Sequence, residues 1–171
     1  LGYVTGSRRT ACPEGATGWR RARYAFEAVN HHELALILLG VGIFLISIDA
    51  TNLTGLWTFV ILWLMRQSAK LNIFLGVLNL NENFLPNHLK YLQTYFRRRP
   101  MNFLMPISIL GSFIFVVPLW GSTFTSGILP HEIVSSTILA TLLSLAILEH
   151  VLLVLPVQIE FLWKWGFRHE S

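Results

Sequence analysis

The segment from residue 63 to residue 106 constrains the fold most, because it combines a membrane-type apolar run with fixed charges. Within about two helical turns it carries four polar side chains, Arg66, Gln67, Lys70 and Asn72. An ionisable side chain inside a spanning helix is costly and by default marks a functional site. Two cations spaced i and i+4 need anions, and other parts of the chain must supply them.

The composition indicates a membrane protein. Of the 171 residues, 53% are hydrophobic and 13% are charged, whereas a soluble domain carries about 25% charged residues. The single cysteine, Cys12, excludes an internal disulfide and any multi-thiolate metal site. In a membrane chain the net charge of +4 favours contact with anionic lipid headgroups, so no nucleic-acid partner is expected. Because the chain starts at Leu1, we expect it to be the C-terminal part of a longer protein.

Four apolar segments predict an all-α polytopic membrane fold with four transmembrane helices in a single membrane domain over residues 1–171. Each is close to the roughly 17–25 residues that a spanning helix needs. They run from Glu33 to about Asp49, from about Leu56 to Val77, from Phe103 to about Trp120, and from about Pro130 to Leu155. Asn30 fits the N-cap of the first helix, with Glu33 three residues later.

The connections between the helices predict the orientation in the membrane. Residues 1–29 and 79–102 form basic loops, and the second contains an amphipathic helix near 84–98 that we expect on the membrane surface. The turns over residues 50–55 and 121–131 contain no Lys or Arg. Basic loops face the cytoplasm in most multi-pass proteins, so both loops are predicted to be cytoplasmic.

This topology brings polar residues of three helices to one depth. The predicted intramembrane cluster consists of Glu33, Arg66, Lys70, Asn72, Glu149 and His150. We expect Glu149 to pair with Arg66 or Lys70, with Glu33 as the second candidate partner.

Three interpretations of the cluster remain open. The first is an interhelical polar network that fixes helix packing. The second is a pigment or lipid-headgroup site in which His31, His32 or His150 is the axial ligand or a metal ligand. The third is a metal-dependent membrane enzyme of pigment or lipid metabolism that uses the histidines and glutamates. The spacing argues against the third, because the neighbours in His-His and Glu-His point about 100° apart on a helix.

Five arginines are candidates for docking a partner or a lipid headgroup. They are Arg20, Arg21, Arg97, Arg98 and Arg99. The block over residues 97–99 also fits a topogenic anchor.

Several stretches resemble the PuhE family, which comprises photosynthetic complex assembly proteins of purple-type phototrophic bacteria. They are TGSRRTACPEGATGWRR, NHHELAL, WTFVILWLMRQSAKLNIFLGVLNLNENFLPNHLKYLQTYFRRRPMN and ATLLSLAILEHVLLVLP. The recurring residues of the family map onto His31, His32, Glu33, Arg66, Lys70, Asn72, Glu82, His88, Arg97, Arg98, Arg99, Glu149 and His150.

The resemblance implies a non-catalytic membrane subunit or assembly factor of the reaction centre and its core light-harvesting antenna. The expected partners are those subunits and membrane lipids, in the intracytoplasmic photosynthetic membrane of a bacterium. Bacteriochlorophyll, carotenoid and bound lipid are the candidate cofactors, and no catalytic residue is implied.

Overall fold

A computed structural model describes residues 10–79 and 87–155 as an antiparallel arrangement of helices. The helices are α1 (Gly18–Ser47), α2 (Thr54–Leu75), a 3₁₀ helix (Asn87–Tyr95), α3 (Leu104–Thr123) and α4 (Pro130–Val154). Within the described ranges the only strand-like pairing is an isolated parallel bridge between Val77 and Arg98. The all-α prediction is therefore confirmed for these residues.

Three helices, α1, α3 and α4, are long and apolar enough to span a membrane, which indicates a membrane protein. The prediction of four such helices is wrong, because α2 is not among them. The second half of α2 carries two charges and two amides, which offset the apolar run in its first half. Membrane identity and loop orientation stay predictions.

The prediction of an amphipathic surface helix near 84–98 is also wrong. Asn87–Tyr95 is a short 3₁₀ helix, and the start of the prediction, residues 84–86, lies outside the described residues. The segment is held by the chain that precedes α1. The Cys12 amide donates to Thr94 Oγ1 at 2.8 Å, and the Tyr95 hydroxyl donates to the Thr10 carbonyl at 2.9 Å. Tyr95 is buried, whereas Asn87, His88, Lys90 and Thr94 of the same 3₁₀ helix are exposed.

The first helix begins earlier than predicted. It starts at Gly18, so part of the predicted 1–29 loop is helical and Asn30 lies inside the helix, not at its N-cap. At 1.5 Å per residue its 30 residues extend about 45 Å, which exceeds the roughly 30 Å hydrocarbon core of a bilayer. The second part of the predicted basic loop, from Gly18, is thus continuous with the predicted spanning segment. The other helices agree with their predicted ranges to within a few residues at each end.

Side-chain contacts define the relative directions of the helices. At the start of α2, Thr54 Oγ1 lies 2.7 Å from Ser135 Oγ, near the start of α4. Just after the end of α2, the Asn79 side chain donates to the Leu152 carbonyl, near the end of α4. These two helices are therefore parallel. The α1 helix runs antiparallel to α2, because Arg21 contacts Phe74 at one end and Gly40 contacts Phe59 further along.

Helix α4 is the main apolar support. Val116 of α3 packs with Leu143 and Ile147 of α4 in the buried core.

The α1 and α2 helices approach closely at Gly40. A Cβ added at Gly40 would lie 2.6 Å from the Phe59 ring. Only glycine permits this close approach of α1 to α2, because any side chain would displace the ring.

A single side chain, Asn102, joins the end of α2 to the start of α3. Its Nδ2 donates to the carbonyls of Asn72 and Gly76 at 3.2 and 2.9 Å. Its Oδ1 accepts from the amides of Leu104 and Met105 at 3.0 and 3.1 Å. Helix ends leave some carbonyls and amides without intrahelical partners. The Asn72 carbonyl already accepts from the Gly76 amide, so Asn102 adds a partner for the Gly76 carbonyl and for the first two amides of α3.

We expect Asn102→Ala to lower the free energy of unfolding by about 2–3 kcal/mol, because it leaves buried donors and acceptors unsatisfied. The matched control is Asn52→Ala. Asn52 caps Thr54 in an exposed turn, so its loss should cost about 1 kcal/mol or less. Denaturant unfolding in detergent micelles, followed by circular dichroism, measures both. Equal losses would contradict the role assigned to Asn102.

Candidate functional site

The candidate site is the polar face of α2, whose side chains bond to three neighbouring helices, α1, α3 and α4. Lys70 forms an ion pair with Glu33 of α1, and the Gln67 amide donates to the other oxygen of the same carboxylate. Only 12% of the Glu33 side chain and 30% of the Lys70 side chain are exposed. This is the second candidate pairing from the sequence, and it joins α1 to α2.

The first candidate pairing is not formed. Glu149 is exposed, and among the described residues it forms no ion pair with Arg66 or Lys70. The reason is helical geometry, since neighbouring residues on a helix point about 100° apart. His150 is buried, and Glu149, one step further round the helix, is therefore exposed.

His150 is fully buried and engages both ring nitrogens. Nδ1 lies 2.9 Å from the Ala146 carbonyl one turn earlier, and Nε2 lies 2.9 Å from Ser68 Oγ of α2. A carbonyl oxygen can only accept a hydrogen bond, so Nδ1 carries the hydrogen. Nε2 is then available to accept from the Ser68 hydroxyl.

The hydrogen bonds continue from α4 through α2 to α3. Ser68 Oγ lies 2.9 Å from Ser108 Oγ of α3. The Asn72 amide donates to the Ser68 carbonyl at 2.9 Å and to Ser108 Oγ at 3.2 Å. Asn72 is fully buried, and its Oδ1 has no hydrogen-bond partner among the described residues. The network thus links three helices through Ser68, Ser108, Asn72 and His150.

This geometry decides which histidine can accept a pigment or metal. His150 cannot, because both nitrogens are occupied and the ring is buried. His31 and His32 lie on α1, with ring centroids 4.0 Å apart, and His32 is exposed. His32 is therefore the accessible candidate of the three.

The described residues do not assemble a metal centre. Within residues 10–79 and 87–155 no group of three His, Cys, Asp or Glu side chains could hold a metal ion. Glu82, one of the recurring family residues given above, lies outside these ranges. The metal-dependent enzyme thus gains no support from the geometry.

The five candidate docking arginines divide into two groups. Arg21 is only 6% exposed, and its guanidinium donates to the Tyr95 carbonyl and, at 3.2 Å, to the Phe74 carbonyl in the last turn of α2. It also lies 4.4 Å from the centroid of the Phe74 ring. Arg21 therefore joins α1 to the end of α2 and is not available for docking.

The other candidate arginines remain at the same end of the bundle. Arg20, Arg98 and Arg99 are exposed and Arg97 is half-buried. The backbone of the block is fixed, since the Val77 amide donates to the Arg97 carbonyl and the Arg99 amide donates to the Val77 carbonyl, both at 3.3 Å. The positive charges of Arg97 and Arg99 repel the guanidinium of the buried Arg21. This end of the protein is strongly positive.

Two cavities flank the polar face of α2. An apolar groove of about 680 Å³ lies between α2 and α3, with Leu139 and Leu143 of α4 also in its lining. Ser68, Ser108 and Ser112 are among the other lining residues. A second cavity, of about 580 Å³, is lined by α1, α2 and α4 and contains the side chains of Arg66, Lys70 and Glu149. The predicted cluster is therefore split between an internal network and the wall of a cavity.

Sequence reasoning missed Ser68, Ser108 and Asn102. The serines carry no periodic signal, because a serine in an apolar helix can also bond to its own backbone, as Ser112 does to the Ser108 carbonyl at 2.7 Å. Asn102 did have a signal, since asparagine is favoured just before a helix starts.

The Glu33–Lys70 pair gives a test of internal charge compensation. Glu33→Gln and Lys70→Gln should each lower the free energy of unfolding by about 2 kcal/mol, which lies between the values for exposed and fully buried pairs. The double variant should lose much less than the sum, because neither charge is then left alone. Denaturant unfolding in micelles measures the cycle.

The control for this cycle is the exposed pair of Arg23 and Glu27, in which Arg23 Nε lies 3.0 Å from Glu27 Oε1. Arg23→Gln should change the free energy of unfolding by about 0.5 kcal/mol or less. Strictly additive losses at positions 33 and 70 would show that the two side chains do not interact.

Comparison with known proteins gives two matches. The sequence model of a family described as "Protein of unknown function (DUF3623)" matches residues 1–171. A protein of Rhodobacter capsulatus named "Uncharacterized 30.4 kDa protein in puhA 5'region" is 36% identical over 164 residues. That alignment covers 96% of this chain and 60% of the relative's length. No solved structure matches the chain.

Proposed function

We propose a function for this chain, which belongs to the family described as "Protein of unknown function (DUF3623)". The protein is an integral membrane subunit or assembly factor of a bacterial photosynthetic reaction centre–light-harvesting complex. The finer assignment that we propose is the PuhE family. The observation that carries the proposal is the relative from Rhodobacter capsulatus, whose name places it in the puhA 5' region, a photosynthesis gene region.

The structure supports a binding role over a catalytic one. The charged and polar side chains that face the interior of the bundle are used to join helices, as Glu33 with Lys70 and His150 with Ser68 illustrate. Such a network fixes the packing of the helices and leaves their outer faces apolar. The outer faces of α1, α3 and α4 can then contact lipid or the helices of partner subunits.

The groove between α2 and α3 supports a pigment as part of the proposal. Its lining on α2 extends from Trp57 to Ser68, a rise of about 17 Å along the helix. The groove is long and its lining is mostly apolar, with hydroxyl groups only from its serine residues. These properties favour a linear carotenoid over the broad ring of a bacteriochlorophyll. Bacteriochlorophyll would instead use His32, which is exposed on α1.

The positive end of the bundle supports a docking surface and an orientation. Exposed arginines on α1 and in the 97–99 block lie at one end of the protein. Positive residues accumulate on the cytoplasmic side of membrane proteins, so we place this end at the cytoplasmic face of the photosynthetic membrane. Acidic loops of the partner subunits would bind there.

Copurification tests the proposal. We expect the full-length protein, tagged and purified in mild detergent from a phototrophic host, to bring reaction-centre and antenna absorption bands in a fixed ratio. An equally abundant tagged membrane protein of the same host is the control. A pigment-free protein that carries no reaction-centre subunit would contradict the proposal, and stoichiometric iron or another transition metal would favour the enzyme.

Substitution of exposed arginines tests the docking surface. The double variant Arg20→Gln with Arg99→Gln should reduce copurified pigment severalfold, since complementary charge guides and orients association. The matched control is Arg23→Gln with Lys90→Gln, which removes two positive charges from exposed positions of the same end. An equal reduction in both double variants would show that only net charge matters, and the docking assignment would fail.

A further inference from the structure

The cavity lined by α1, α2 and α4 has a chemical polarity along its length. Leu36 and Leu39 of α1 and Phe59 and Leu62 of α2 form an apolar part. Arg66 follows Phe59 by seven residues on α2, or about 10 Å along the helix. The charged residues of the lining thus lie towards the ends of α2 and α4, and the four apolar residues named above lie further from those ends. The division is not strict, because Ile73 follows Lys70 on α2.

Two opposite charges in this lining have no partner within the described part of the chain. Arg66 and Glu149 take part in no ion pair or hydrogen bond there, and they do not pair with each other. Lys70, the third charge, is already paired with Glu33. Counting only partners from residues 10–79 and 87–155, the cavity presents one uncompensated cation on α2 and one uncompensated anion on α4.

Arg66 and Glu149 are both exposed on the protein. In a membrane such charges are costly unless groups of opposite charge compensate them. An anionic ligand would satisfy Arg66 but would be repelled by Glu149. A cationic ligand would satisfy Glu149 but would be repelled by Arg66. A ligand with a phosphate and an ammonium in one headgroup matches both side chains, and its acyl chain matches the apolar part of the cavity.

We propose that the cavity lined by α1, α2 and α4 binds one zwitterionic phospholipid with a primary ammonium headgroup. Its phosphate binds the Arg66 guanidinium and its ammonium binds the Glu149 carboxylate. One acyl chain lies along Leu39, Phe59 and Leu62. The parallel directions of α2 and α4 place both charged side chains towards the same end of the bundle, as a single headgroup requires.

The site is independent of the proposed photosynthetic function, because it depends only on this chain and the surrounding bilayer. It also separates the roles of neighbouring residues. Glu33, Lys70 and His150 hold the helices together, whereas Arg66 and Glu149 bind the lipid.

Lipid binding to the purified full-length protein tests the inference. The protein is stripped of lipid in detergent, and phosphatidylethanolamine or phosphatidylglycerol is added back. Native mass spectrometry counts bound lipids, and thermal unfolding reports stabilisation. We expect one phosphatidylethanolamine to bind at least about tenfold more tightly than phosphatidylglycerol, because the Glu149 contact is charge-assisted. Equal binding of the two lipids, or no retained lipid, would overturn the proposal.

Variants distinguish the two headgroup contacts. Glu149→Gln should remove the preference for phosphatidylethanolamine, so that both lipids bind alike. Arg66→Gln should weaken phosphatidylethanolamine about tenfold or more, whereas Arg66→Lys should keep most of the binding because the positive charge remains. Glu27→Gln, at an acidic residue of α1 outside the cavity, is the control and should change nothing. An unchanged lipid preference in a folded Glu149→Gln protein would refute the assigned contact.

Discussion

The structure depends on the compensation of the polar face of α2 by three different helices. Glu33 of α1 accepts from Lys70 and Gln67, His150 of α4 contacts Ser68, and Ser108 of α3 contacts Asn72. In an apolar environment each unsatisfied polar group would cost several kcal/mol. The partners must therefore be presented at matching levels, and this requirement fixes the rotation and the axial position of every helix relative to α2.

The ends of the helices are fixed by the same principle. The carbonyls in the last turn of α2 are bound by Arg21 from α1 and by Asn102 from the segment before α3. Glycine is required where α2 ends, because Gly76 has a φ of 122° and a Cβ there would lie 2.9 Å from the Arg99 side chain. The basic block, the end of α2 and the start of α1 thus form one joint, which explains why a residue predicted to dock a partner is buried inside it.

The sequence predicts the ranges of α2, α3 and α4 to within a few residues, but not the early start of α1 or the 3₁₀ helix. It also does not predict which polar residues pair. A cation in an apolar helix needs compensation by an acidic residue. Lys70 receives it from Glu33, whereas Arg66 has no ion pair among the described residues. Whether Glu33 or Glu149 supplies it depends on helix rotation, which two neighbouring polar residues such as Glu149 and His150 leave undetermined. The predicted number of spanning helices was too high because α2 is apolar only over its first half.

The division between compensated and uncompensated charges connects the fold to its functions. A side chain whose partner lies in another helix contributes to stability, and its replacement acts on the whole bundle, as for Lys70 and Glu33. A charged side chain that lines a cavity and finds no partner among the described residues, as Arg66 and Glu149 do, is free to bind a molecule from the membrane. The predicted cluster of six residues contains both kinds. Adjacent positions in the sequence can therefore serve folding and binding separately, since one helical step of about 100° turns a side chain from the core to the cavity.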